Sequence, residues 1–178
     1  GGALAANVHG RGLTLPPFVG DLESFTLVDA KGRVLRCSRK ENPDLFRLAV
    51  GGYGLFGVAT TVTLRLTPRQ KIERIVEVRT TLDLMAQVDK RVQDGFIYGD
   101  FQFAVDPRSP AFLRRGVFSC YEPVAGSTPM PDGQRSLSPA DWRRLVCLAH
   151  TDPSAAFEHY ARHYLATSGQ VYWSDAHQ

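Results

Sequence analysis

Two glycine-rich segments carry the residues whose types and spacing could do chemistry. The first, residues 1–12, reads GGALAANVHGRG and has small side chains at nearly every position and one imidazole, His9. Small side chains leave backbone N–H groups unshielded, and such groups can bind a phosphate or the polar edge of a ring. This composition favours close packing of the backbone around a large ligand, with His9 as the polar anchor. A histidine satisfied beside a turn is the structural alternative.

The second segment, residues 52–57 (GYGLFG), matches the G-x-G-x-x-G pattern. A dinucleotide-binding fingerprint needs a strand before it and a helix after it, because the pyrophosphate sits on the helix N-terminus. The sequence predicts the reverse order, so it disfavours a nicotinamide-binding Rossmann site. The glycines then either form a turn or let the backbone approach a flat or charged group closely.

The remaining candidates for chemistry are weaker. His159 and His163 have the i, i+4 spacing of two metal ligands on one helix face, but nothing nearby supplies a third ligand. The stripe of Phe157, Tyr160, Tyr164 and Leu165 is expected to be buried, which places both imidazoles in solvent. We therefore predict no metal site and identify no catalytic residue.

Composition limits the classes of function. The 178 residues are 43% hydrophobic and 22% charged, as in a folded globular chain with one large domain or two small ones. The net charge of +3 comes from dispersed basic residues, so nucleic-acid binding is not expected. Three widely spaced cysteines, Cys37, Cys120 and Cys147, indicate reduced thiols. No apolar run is long enough to span a bilayer and no signal peptide opens the chain, so a cytoplasmic location is expected.

The elements around the glycine segments are predicted from local patterns. A β-hairpin spans residues 24–30 and 33–37 around the turn at Lys31 and Gly32. Asn42 is expected to cap a short helix that begins with Pro43. From Gly57 onward the residues alternate as a long strand with one buried face, formed by Val58, Thr60, Val62, Leu64 and Leu66.

A boundary is expected at the polar segment that contains Pro68, because proline cannot continue a central strand. Beyond it the patterns predict a strand at 72–78, a helix near 84–92, and strands at 96–105 and 116–121. A proline- and glycine-rich exposed loop, 122–137, leads to two helices that begin at Ser138 and Asp152. This order indicates an α+β arrangement.

Taken together, four motifs in register resemble one family. They are GGxxAANxHG from Gly1, the VDAxGxV hairpin from Val28, ENxDLF from Glu41, and GGxGxFGV from Gly51. Their order and spacing are similar to the second half of the FAD-binding domain of the vanillyl-alcohol oxidase / p-cresol methylhydroxylase type.

The resemblance implies an α+β fold in which residues 1–68 form the second lobe of that FAD-binding domain. Residues 69–178 would be the start of an α+β substrate (cap) domain. It also implies FAD as the cofactor and a small-molecule substrate. The implied cofactor-binding residues are Gly1, Gly2, Asn7, His9, Gly10, Gly52, Gly54, Gly57 and Val58.

Such enzymes transfer a hydride between flavin and a small organic substrate such as an alcohol, lactone, sugar or sterol. The upstream lobe that grips the pyrophosphate does not precede Gly1, which suggests a fragment. We therefore expect this piece to bind FAD weakly or not at all and to have no turnover. A non-catalytic binding or interaction module with the same fold is the alternative, and the oligomeric state is left open.

Overall fold

A computed structural model describes residues 1–176, and the chain divides into two compact units, Gly1–Pro68 and Arg69–Gln178. We call them unit 1 and unit 2. Both combine helices with an antiparallel sheet, so the chain is of the α+β class. The last two residues of the second predicted domain, 69–178, lie outside the described residues.

Unit 1 is a three-stranded sheet with two short helices. Its elements are α1 (Gly2–Ala5), β1 (Leu22–Val28), β2 (Val34–Ser38), α2 (Pro43–Ala49) and β3 (Val58–Leu64). The strand order is β2-β1-β3, and both pairings are antiparallel. The predicted hairpin is confirmed as β1 and β2. Its turn is fixed by Asp29, whose Oδ1 accepts the backbone N–H groups of Lys31 and Arg33, each at 2.9 Å.

The core of unit 1 lies between the sheet and the helices. Three residues of β1, Leu22, Phe25 and Leu27, are buried against side chains from α1 and α2. The Phe25 ring stacks on the Phe46 ring with centroids 5.5 Å apart. Leu4 brings α1 into the same cluster. The segment that carries the first glycine cluster is therefore anchored by an apolar side chain.

Asn42 occupies the N-cap position of α2, but its side chain does not cap the helix. Its backbone is left-handed, with φ of 47°, and its side-chain Nδ2 donates instead to the carbonyl oxygen of Arg36 at 2.7 Å. The prediction was right about where the helix begins and wrong about the side chain. Asn42 links the helix start to β2.

The buried face predicted for β3 is also wrong. Val62 lies opposite Phe25, and Ala59 lies opposite Leu27. The two partners are two positions apart on β1 but three apart on β3, so β3 contains one extra residue, a β-bulge. This bulge reverses the alternation, so Val58, opposite Val28, points to the other face from Val62. Because β3 is also an edge strand, its apolar residues stay largely exposed, and Leu66 lies beyond the strand.

Unit 2 is a four-stranded antiparallel sheet with three helices. Its elements are β4 (Lys71–Thr80), α3 (Leu84–Gln93), β5 (Tyr98–Phe103), β6 (Arg115–Pro123), α4 (Pro139–Thr151), α5 (Pro153–Leu165) and β7 (Val171–Trp173). The strand order is β5-β6-β4-β7. All but β7 were predicted, within a few residues at each end. Most residues of the loop 122–137 are exposed, as predicted, and Gln134 Nε2 ties the loop to β7 by donating to the carbonyl oxygen of Val171 at 2.8 Å.

The helix starts in unit 2 follow the sequence closely. Ser138 and Asp141 form a capping box at the start of α4, and Asp152 caps α5 by accepting the Ala155 N–H at 3.0 Å. The buried stripe of α5 includes Phe157 and Tyr164 but not Leu165, which is exposed.

The expectation that both histidines of α5 face solvent is wrong. His159 and His163 are half-buried, and the His163 ring packs edge-on against Tyr164. Residues of α5 outside the predicted stripe are therefore also partly covered.

The three cysteines are free, and Cys37 and Cys120 are buried. Burial raises the pKa of the Cys120 thiol to about 12. In the part of the chain that the structure describes, no helix is long and apolar enough to cross a membrane.

We predict that Phe46→Ala lowers the free energy of unfolding by about 3–5 kcal/mol, because it removes a ring that is 3% exposed and stacked on Phe25. Leu48→Ala on the same helix is the matched control, since Leu48 is 54% exposed. Its effect should stay within about 0.5 kcal/mol. Urea unfolding followed by circular dichroism measures both, and equal losses would contradict the core assignment.

We also predict an acid-sensitive contribution from Asp106. Its carboxylate accepts from the Arg108 side chain and from Ser154 Oγ at 2.8 Å, and these bonds lower its pKa from 3.8 to about 2. The folded state therefore gains stability above pH 4 and loses it as the pH falls from about 4 to about 2. Asp106→Asn should lower the melting temperature at pH 6, and its difference from the parent chain should shrink toward pH 2. The exposed Asp132→Asn should show no such difference at either pH.

Candidate functional site

The two glycine-rich segments meet in unit 1 through backbone hydrogen bonds. The Gly51 N–H donates to the carbonyl oxygen of Leu4 at 3.0 Å, and the Tyr53 N–H donates to that of Ala5 at 2.9 Å. These bonds join the end of α1 to the loop that leads from α2 to β3. Segments that are far apart in the sequence thus form one continuous main-chain surface.

The first segment is held in place by a helical turn and a left-handed residue. Helix α1 is followed by Asn7, whose φ is 43°. Asn7 Oδ1 accepts the Val19 backbone N–H at 3.2 Å, which ties the segment to the turn before β1. The role of the Asn7 side chain in the structure is therefore to fix the path of the chain.

The loop between α2 and β3 uses most of its own amide groups. The N–H groups of Gly52, Leu55 and Gly57 donate to carbonyl oxygens of Ala49, Gly52 and Gly54. With Gly51 and Tyr53 already paired to the first segment, only two amides of residues 51–57 find no acceptor among residues 1–176. These are the N–H groups of Gly54 and Phe56.

The joined segments border a cavity of about 200 Å³. Four of the predicted cofactor-binding residues line it, namely Gly1, Gly54, Gly57 and Val58. The other lining residues are Leu4, Ala5, Leu27, Ala49, Phe56 and Ala59. We call this space the glycine-loop cavity.

Five predicted cofactor-binding residues do not line this cavity. Gly2 and Gly10 are exposed, as is His9, whose Nδ1 lies 3.2 Å from the neighbouring carbonyl oxygen of Gly10. Asn7 is engaged with Val19 as described. At Gly52 a Cβ would lie 2.3 Å from the Leu48 carbonyl oxygen, so close packing on α2 requires glycine there.

The chemistry available to the glycine-loop cavity follows from its walls. No ionisable side chain of residues 1–176 lines it, so it offers no general acid or base. It offers an apolar surface and, beside it, the N–H groups of Gly54 and Phe56. Such a site can pack against a flat apolar group and donate hydrogen bonds to that group's edge.

The order of elements excludes a Rossmann phosphate site. Helix α2 precedes the glycine loop and strand β3 follows it, as the sequence predicted. Across residues 1–176, no cluster of three or more His, Cys, Asp or Glu side chains could hold a metal ion.

Sequence reasoning missed the contributions of Leu4, Ala5 and the Phe56 amide. The carbonyl oxygens of Leu4 and Ala5 and the N–H group of Phe56 belong to the main chain, so the residue types at these positions do not reveal their roles. The available clue was the leucine at position 4, a large apolar side chain among small residues, which the structure shows to be buried in the core of unit 1.

We predict that Gly57→Ala destabilises the chain by about 1–3 kcal/mol or more. Gly57 has φ of 140°, and a Cβ there would lie 2.3 Å from the Val28 carbonyl oxygen. Gly2→Ala is the control, because a Cβ at Gly2 meets nothing within 4 Å and Gly2 lies in a helix. It should be neutral in the same urea titration, and a neutral Gly57→Ala would contradict the close approach of the two strands.

The chain is similar in sequence to parts of several dehydrogenases. It is 37% identical over 79 residues to cytokinin dehydrogenase 4 of rice (Oryza sativa subsp. japonica), covering 44% of this chain and 15% of that protein. It is 38% identical over 72 residues to the mitochondrial L-galactono-1,4-lactone dehydrogenase 2 of rice, a match that covers 40% of this chain and 12% of that protein. A longer match of 123 residues, to cytokinin dehydrogenase 6 of rice, is 28% identical and covers 62% of this chain and 23% of that protein.

The matches span between 12% and 23% of these relatives' own lengths. No family model matches the chain. Two differently named kinds of dehydrogenase are therefore among the proteins that are similar to part of this chain.

Proposed function

We propose that this chain is part of an FAD-dependent oxidoreductase, and that unit 1 contacts the flavin through the glycine-loop cavity. The observation that carries the proposal is the meeting of the two glycine-rich segments. The Gly51 and Tyr53 amides bind the carbonyl oxygens of Leu4 and Ala5, so both motifs border one cavity.

The walls of the cavity fit part of a flavin. An isoalloxazine ring is flat and largely apolar, and its edge carries carbonyl oxygens and ring nitrogens that accept hydrogen bonds. The apolar lining suits the ring face, and the Gly54 and Phe56 amides suit the acceptors. A volume of about 200 Å³ accommodates only a part of the cofactor.

In this proposal FAD supplies the redox chemistry by exchanging a hydride with a small organic substrate. The residues of unit 1 bind and orient the cofactor and keep water from the covered part of the ring. Gly1, Gly54, Gly57 and Val58 would contact it, since they line the cavity. Gly2, Asn7, His9, Gly10 and Gly52 remain predicted contacts for parts of FAD outside the cavity.

The names of the relatives support an oxidoreductase and leave the substrate open. Cytokinin dehydrogenases and lactone dehydrogenases share a similar segment with this chain. Unit 1 would then be the second lobe of an FAD-binding domain and unit 2 the start of a substrate domain. The cytoplasmic location stays a prediction, and the matched lactone dehydrogenase carries the word mitochondrial in its name.

The test uses a matched pair of variants in a protein of the relatives' length that contains this sequence. Val58 and Val34 both lie opposite Val28, one on each side of β1, and are 68% and 70% exposed. Only Val58 lines the cavity. We predict that Val58→Glu weakens FAD binding at least about tenfold, the equivalent of ~1.4 kcal/mol, because it places a charge at the edge of the cavity. Val34→Glu should leave binding unchanged.

Flavin absorbance of the purified protein and its bleaching by substrate are the readouts. In the 178-residue chain itself, we expect millimolar FAD to shift the amide resonances of Gly54, Phe56 and Val58 in NMR spectra. A colourless full-length protein that takes up no FAD would overturn the proposal and favour a non-catalytic module. Equal FAD binding by the Val58→Glu and Val34→Glu variants would show that the glycine-loop cavity is not part of the cofactor site.

A further inference from the structure

Unit 2 contains a buried arginine that the flavin proposal does not use. Arg74 lies on β4 and is 2% exposed. Its Nε donates to Tyr121 Oη and its Nη1 to Thr167 Oγ1, each at 3.0 Å. The guanidinium carbon lies 5.2, 5.2 and 4.7 Å from the ring centroids of Tyr121, Tyr164 and Tyr172.

These contacts leave one end of the guanidinium without a partner. Nη2 of Arg74 is buried and has no hydrogen-bond acceptor among residues 1–176. The three rings stabilise the positive charge through their faces, but they do not accept its remaining N–H groups. Nor does any carboxylate of the described residues form an ion pair with it.

A buried charge in this state is unusual on energetic grounds. Arginine stays protonated, and a buried charge costs several kcal/mol in lost hydration unless it is paired and hydrogen-bonded. An anionic group beside Nη2 would supply the missing acceptor and the missing countercharge together.

Arg74 lines a cavity of about 270 Å³ within unit 2. A second arginine, Arg135, and the imidazole of His163 also line it, whereas none of its described lining residues is acidic. Burial is the main cause that lowers the pKa of His163, and the charge of Arg74 is the next. The cavity therefore carries a positive potential that would favour an anion.

The rest of the lining is largely aromatic and apolar. Trp142, Tyr172 and Trp173 contribute rings, and Met130, Leu137 and Val171 contribute aliphatic surface. Gln134 adds a second buried polar atom, Oε1, that has no partner among the described residues. The lining thus suits a ligand with an apolar body as well as a charged end.

We propose that this cavity binds a small organic carboxylate whose anionic end is held by Arg74 and whose apolar body packs on the aromatic lining. We call it the Arg74 site. It lies wholly within unit 2 and does not depend on flavin binding.

The sequence provides its own reporter for this site. The chain contains two tryptophans, and both Trp142 and Trp173 line the cavity. Tryptophan fluorescence of the 178-residue chain can therefore be followed during titration with phenylacetate. We expect a saturable change with a Kd on the order of 1 mM or tighter. Phenylacetamide, which is neutral and nearly the same shape, should bind at least about tenfold more weakly.

Variants test whether Arg74 is the group that binds the carboxylate of the ligand. Arg74→Met should weaken phenylacetate binding at least about tenfold and leave the binding of phenylacetamide unchanged. Arg143→Met is the matched control, because Arg143 is exposed on α4 and does not line the cavity. Far-UV circular dichroism checks that each variant folds. If Arg74→Met does not fold, the comparison of the two ligands on the unmodified chain still decides the question.

Three results would overturn the proposal. The absence of any saturable change would mean that Arg74 is satisfied by water and by the tyrosine rings. Equal binding of phenylacetate and phenylacetamide would show that the cavity does not select a charge. Inorganic phosphate binding as tightly as phenylacetate would show that the apolar body plays no part.

Discussion

The guanidinium of Arg74 brings a full positive charge into the interior of unit 2, and the surrounding elements meet around it. It donates to Tyr121 on β6 and to Thr167 after α5, and it lies over Tyr164 of α5 and Tyr172 of β7. Three strands and a helix thus share one contact. Because the lost hydration of this charge must be replaced, the positions of these partners are coupled to one another.

Unit 1 is organised by a different constraint, the pairing of backbone groups. Its glycine-rich segments have few side chains to pack, so main-chain bonds from Gly51 and Tyr53 to Leu4 and Ala5 hold them together. The close approach of Gly57 to the Val28 carbonyl oxygen then sets where β3 begins. A site made this way binds through shape and N–H groups, and its chemistry has to come from the ligand.

The two candidate sites therefore differ in kind. The glycine-loop cavity has no ionisable side chain among its described walls, whereas the Arg74 site has two arginines and a histidine. One suits the face of a flat cofactor and the other suits the charged end of a small acid. The names of the similar proteins, cytokinin and lactone dehydrogenases, agree with a redox cofactor at the first site. They say nothing about the ligand of the second site.

Much of the fold could be predicted from the sequence because its signals are local. The turn at Asp29 and the caps at Ser138 and Asp152 depend on side chains that bond to backbone groups a few residues away. The buried face of β3 could not be predicted, since its bulge appears only when the strand pairs with β1. Strand β7 escaped for a similar reason, because its three residues become a strand only by pairing with β4.

By itself, the sequence determined the order of the elements from β1 to α5, the starts of α2, α4 and α5, and the two glycine-rich motifs whose arrangement resembles a flavin-binding lobe. The tertiary structure alone decided which of those glycines share a cavity, and it separated Gly57 from the exposed His9. It also decided that Arg74, which in the sequence is one basic residue among many, is buried and lines a cavity. The reason is physical: propensity and capping act over a few residues, whereas burial and the loss of hydration depend on what distant segments bring to the same place.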